Sequence, residues 1–116
     1  MSQELASLRD ALREFAAERD WDQFHSPKNL AAALSVEAAE LLEQFQWLSE
    51  QQSRALDPAQ LEAVRQELAD VLLYLVRLAD KLDVDLVAAA KAKLGLNALK
   101  YPVDKARGSS RKYTEY

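Results

Sequence analysis

Apolar residues recur along this chain at intervals of three and four. Leu5, Leu8, Leu12 and Phe15 step in this way, the period of one face of an α-helix, and predict a first helix over residues 2–19. The polar, aromatic stretch "DWDQFHSPKN" interrupts the pattern. Pro27 then suits the first turn of a second helix, expected over 27–48. After the connector "SEQQSRALDPAQ", Asp57-Pro58 reads as an N-cap followed by Pro at the first helical position. A third helix is expected over 58–82. Asp83 or Asp85 can cap a fourth, which runs to Tyr101 and stops before Pro102. With only two Gly and three Pro in 116 residues, little punctuates long helices. The fold class is therefore all-α. The pattern implies one domain over 1–104 and a basic tail over 105–116, expected to be extended and flexible.

The same periodicity raises a chemical question. With Leu30 as the origin, Leu34, Leu41, Phe45 and Leu48 fall within about 60° of it. Glu37 falls inside this stripe, and Glu40 lies roughly 60° further round, beside Trp47 in angle. On the third helix Val64, Val71, Leu75, Leu78 and Leu82 form the stripe, flanked by Glu67, Asp70 and Tyr74 about 60° to 120° away. If the two helices pack antiparallel, four carboxylates converge at one edge of an apolar bundle. Like charges so placed raise one another's pKa values, so a counter-charge is needed to keep them ionised. An all-oxygen ligand set suits a hard cation such as Mg²⁺ rather than zinc. Any single glutamate reads more simply as a solvated helix face. Two pairs at the same spacing favour the metal.

Composition narrows the setting. The apolar fraction of 49% and charged fraction of 29% are those of an ordinary globular domain. No cysteine is present, which excludes disulfides, thiolate metal sites and cysteine nucleophiles and fits a reducing cytoplasm. No apolar run reaches membrane-spanning length, and "MSQELASLRD" does not resemble a signal peptide. A net charge of −4 argues against a general grip on polymeric nucleic acid. An anionic substrate would need metal ions or a local basic patch.

With those residues in view, the chain resembles the MazG-like all-α nucleoside triphosphate pyrophosphohydrolases, and within them the dCTP pyrophosphatase branch. The resemblance rests on Glu37-Ala-Ala-Glu40 and Glu67-Leu-Ala-Asp70, and on the strings "EFAAERDWDQFHSPKNL", "ELLEQFQW", "ELADVLLYLVRLAD" and "KYPVDKARGSSRKYT". It implies a four-helix bundle and Mg²⁺-dependent cleavage between the α- and β-phosphates of a nucleotide. Glu37, Glu40, Glu67 and Asp70 would be the metal ligands, with Glu37 or Glu40 activating water.

Trp21 lies outside the helical stripes, where it can either stack on a base or cover the core; the resemblance favours the base. His25 is the sole histidine and is matched to a base or sugar contact. Trp47 and Tyr74 are placed as pocket walls, with core packing as the competing role. Lys93 and Asn97, at i and i+4, match the family's substrate-binding pair. Lys28 with Lys105, Arg107, Arg111 and Lys112 supplies the basic patch.

Val36, Leu42, Leu73 and Val76 fall outside the main stripes, so the second and third helices are apolar on more than one side. Together with the family's habit of assembly, this leads to the expectation of a homotetramer, with a dimer as the alternative. Other readings are a related enzyme for dUTP or a damaged purine nucleotide, or a helical interaction module without catalysis. A di-iron bundle is disfavoured, because that chemistry uses Glu-x-x-His pairs and His25 follows no glutamate at that spacing.

Overall fold

The computed structural model describes residues 2–116, and among them every regular element is helical. The chain divides into two compact units, residues 2–84 and 85–116.

In the first unit, α1 spans Gln3–Glu18, α2 Pro27–Glu43, α3 Glu50–Ser53 and α4 Pro58–Lys81. The starts of α2, α3 and α4 are written in side chains that satisfy otherwise orphaned N–H groups. The Ser26 hydroxyl accepts from the Asn29 N–H, with Pro27 next to it. Asp57 and Gln60 close a reciprocal capping box across Pro58. The ends of α1 and α4 share one device. Asp20 (φ 53°) and Asp83 (φ 54°) turn left-handed. The next residue's N–H then reaches back into the helix, from Trp21 to Ala16 O and from Val84 to Ala79 O, both at 2.9 Å. These are Schellman stops built on aspartate, where glycine is the usual choice.

Helix α4 packs against both α1 and α2. Ala16, Leu30, Val64, Val76 and Ala79 are the buried apolar core. The expected second helix is shorter than its apolar period suggests. It ends at Glu43, and residues 44–47 form turns in which the N–H groups of Gln44, Phe45 and Gln46 reach back three or four residues. The cause lies just beyond: Ser49 sits in extended conformation as the N-cap of α3, with its own capping box to Gln52. The chain must leave helical geometry before it.

In the second unit, α5 spans Leu86–Lys100 and α6 Val103–Ala106. The Asp85 carboxylate accepts from the Ala88 N–H at the start of α5. The tail is not simply extended. A 3₁₀ turn at Tyr113–Glu115 brings Tyr113 and Tyr116 edge-on to Tyr101, with ring centroids 5.8 and 6.0 Å away. Apolar contact between these rings offsets the entropy of ordering the segment.

Candidate active site

The acidic pair of α4 and the first glutamate of α2 come together. Glu37, Glu67 and Asp70 each offer a carboxylate oxygen, and these oxygens all lie within 4.8 Å of one another. Glu67 and Asp70 are nearly one turn apart on α4, while Glu37 is delivered by the helix packed against it. Glu37 and Glu67 are half-buried and Asp70 is exposed. Oε2 of Glu37 and Oε2 of Glu67 are buried without a hydrogen-bond partner.

Glu40 is half-buried and outside this trio of oxygens, but it belongs to the same field. The Glu37 carboxyl is pushed up to about 7, first by the adjacent Glu40 carboxyl, then by burial and by Glu67 and Asp70. Glu67 is raised chiefly by burial, with the charges of Glu40 and Asp70 adding to it. Two ionised carboxylates cannot hydrogen-bond each other; they need a proton or a cation between them. Buried oxygens lacking donors, in an all-oxygen set, fit a hard divalent cation.

Beside the trio lies a cavity of about 190 Å³. Trp21, His25, Asp70 and Tyr74 all line it, joined by Leu12, Phe15, Leu73 and Arg77. Four residues singled out from sequence thus meet in one place. Trp21 stands edge-on to Phe15 (5.7 Å between centroids) and to His25 (6.5 Å). Asp70 belongs to both the carboxylate trio and the cavity wall.

Trp47 is elsewhere. It was expected to share a flank of the second helix with Glu40, but it follows the end of α2 and is 86% exposed. Lys93 and Asn97 lie on α5 in the second unit, Lys93 exposed and Asn97 half-buried. Lys28, Lys105, Arg107, Arg111 and Lys112 are all exposed.

Sequence reasoning passed over Arg77. It is 5% exposed and bonded to Asp22 and His25. The available signal was a lone cation inside the apolar run "VLLYLVRLA", where a charge must find partners or distort the core.

Residues 32–116 match the MazG-like family profile. The chain is 48% identical to dCTP pyrophosphatase 1 of Homo sapiens over 113 residues, 96% of this chain and 66% of that protein. It is 46% identical to dCTP pyrophosphatase 1 of Bos taurus, again over 113 residues and 96% of this chain, with 67% of that protein covered. It thus spans about two thirds of the length of these relatives. The crystal structure of a pyrophosphatase from Archaeoglobus fulgidus superposes with a TM-score of 0.81 at 41% identity, covering 88% of this chain and 95% of that one. The chain belongs to the MazG-like family.

Proposed function

We propose that this protein is a Mg²⁺-dependent nucleoside triphosphate pyrophosphohydrolase that converts dCTP, or a base-modified dCTP, to the monophosphate and pyrophosphate and so clears unwanted nucleotides from the pool. One observation carries the reading: an all-carboxylate trio and an aromatic cavity share a wall residue, Asp70. Relatives named dCTP pyrophosphatase 1 support the choice of base.

The cavity is smaller than the roughly 300 Å³ at which sites for drug-sized ligands begin, so it suits a base rather than a whole nucleotide. Trp21 offers a face or edge for stacking, and Tyr74 and His25 offer polar atoms. Glu37, Glu67 and Asp70 would hold Mg²⁺, with Glu40 beside them. When bound, the cation neutralises triphosphate charge and favours attack of water on the α-phosphate. Glu37 and Glu40 are the candidate proton acceptors for that water. Glu37 is committed to the trio, which leaves the Glu40 carboxylate the freer of the two.

Of the substrate-binding pair that the resemblance implies, Lys93 and Asn97, the lysine would grip phosphate as a point charge, and Lys93→Ala tests it. A homotetramer in the cytoplasm completes the proposal. It is supported by large exposed apolar side chains, among them Trp47, Leu94 and Leu99, which a monomer has little reason to display.

The deciding experiment incubates the full chain with canonical and modified NTPs and dNTPs, with and without Mg²⁺, alongside Glu40→Ala. Mg²⁺-dependent pyrophosphate release that favours dCTP or its modified forms, and is lost in the variant, is the expected result. No pyrophosphate from any nucleotide would overturn the reading and favour a non-catalytic interaction module.

A further inference from the structure

Among the described residues Arg77 is the buried charged side chain, and its surroundings account for it. Its Nη2 donates to Asp22 Oδ1 at 2.7 Å and its Nη1 reaches Asp80 Oδ2 at 3.5 Å. Asp80 is in turn gripped by Arg13 through two bonds of 2.8 and 2.5 Å. The guanidinium plane is thereby fixed between α1, α4 and the short 3₁₀ turn Asp22–Phe24 that follows α1. Its third bond is the informative one: Nε donates to Nδ1 of His25 at 3.1 Å.

A guanidinium nitrogen can only donate. Nδ1 of His25 must therefore present its lone pair, and in a neutral imidazole that places the proton on Nε2. A proton on Nδ1 would set two N–H groups against each other. An imidazolium would add a second positive charge beside Arg77. Burial and the charges of Arg77 and Lys81 likewise hold the ring below its ordinary pKa. Nε2–H then has no acceptor among the described residues, on a side chain that lines the cavity.

We propose that Arg77 is a positioning residue which, through its Nε–H···Nδ1 bond, locks His25 as a neutral ring with its proton on Nε2, a fixed donor to an acceptor atom on a nucleobase edge. The identity of the acceptor rests on the nucleotide reading above; the tautomer does not. The lock also removes His25 as a proton carrier, which leaves that task to the carboxylates. Lysine cannot replace Arg77, because a point charge lacks the planar fork that reaches Asp22, Asp80 and His25 together.

The chain has one histidine, so labelling with ¹⁵N-histidine gives a spectrum of one ring. Long-range ¹H–¹⁵N correlation on the full chain near neutral pH should show a single neutral form protonated at Nε2. An Nδ1–H form, an exchanging mixture or an imidazolium would overturn the proposal. In Arg77→Lys the ring should become a mixture of tautomers. KM for the nucleotide should rise about tenfold, the worth of one hydrogen bond at the upper end of its range, and by more than kcat falls. A rise in KM with the tautomer unchanged would reduce Arg77 to a structural role and overturn it. Should that variant fail to fold, the unsubstituted chain decides. The Nε2 resonance should move when a non-hydrolysable α,β-methylene analogue of dCTP is added, and a static resonance refutes the donor role. Absence of any nucleotide hydrolysis would instead sink the enzyme reading, and the tautomer spectrum would still decide whether Arg77 holds His25.

Discussion

Glu37 on α2 and Glu67 on α4 each bury one carboxylate oxygen, and neither oxygen has a hydrogen-bond donor. A fold tolerates such an arrangement only if a proton or a cation enters it, because an unpaired buried charge is among the costliest groups to keep.

The first consequence is a pH dependence of the metal-free protein. Glu37 titrates at about 7 in the fold against an ordinary 4.5. Between those values the folded chain holds more protons than the unfolded one, so stability falls as pH rises through the window. Glu67 is shifted in the same direction. His25 is shifted below 6.5 and contributes the opposite slope just beneath that value. Thermal unfolding in chelator at several pH values, compared with Glu37→Gln, isolates the carboxyl. The unsubstituted chain should lose Tm relative to the variant as pH rises from about 5 to about 8. Parallel curves would refute the coupling.

Metal should reverse that loss. At a hundred times its Kd, a cation that binds only the folded chain stabilises it by about 2.7 kcal/mol, so the rise in Tm with Mg²⁺ should be larger at high pH. Glu67→Gln should raise metal-free stability by removing a like charge, yet weaken Mg²⁺ binding by at least roughly 10–100-fold, the range seen when mere outer-shell partners are lost. Calorimetric titration with Mg²⁺ reads the second effect. A variant that loses both stability and metal affinity would point to packing instead.

Trp21 is 44% exposed, so Trp21→Ala should cost little fold stability. If its ring stacks on the base, the variant should lose about 1–3 kcal/mol of nucleotide binding, read as a raised KM with kcat less affected. A large drop in Tm with KM intact would make Trp21 a lid over the core.

Leu99 is 80% exposed on α5. If copies of the chain cover it, Leu99→Glu should shift the assembly towards smaller species in light scattering at equal concentration, since a buried unpaired carboxylate opposes association. An unchanged mass would place the interface elsewhere.

Much of this architecture is legible in the sequence because its signals are local. Pro27 and Asp57-Pro58 mark helix starts that the structure reproduces at Pro27 and Pro58, and of the two candidate caps Asp83 and Asp85 it is Asp85 that precedes the helix beginning at Leu86. The i, i+3 spacing of Glu67 and Asp70 needs only the helical period, and Glu37 joins them because α2 and α4 pack together. What was not legible depends on competition or on distance. Leu41, Phe45 and Leu48 keep a helical rhythm across a turn, and only the competing cap at Ser49 explains why Trp47 left the helix. The tail reads as polar and irregular until Tyr101 gives its tyrosines something to pack on. Arg77 meets Asp22 and His25 across more than 50 positions of sequence, which no period can reveal.

Asp70 stands in both the carboxylate trio and the wall of the cavity, so its two duties are not independent. A base that orders the Asp70 side chain would leave less conformational freedom for a cation to remove, and a cation would do the same for the base. By thermodynamic linkage each ligand must then change the affinity of the other by the same factor. Bases that order Asp70 to different degrees would gain unequally from the cation, so discrimination between them would change with cation occupancy and would respond to the ionic composition of the solution as well as to the shape of the pocket.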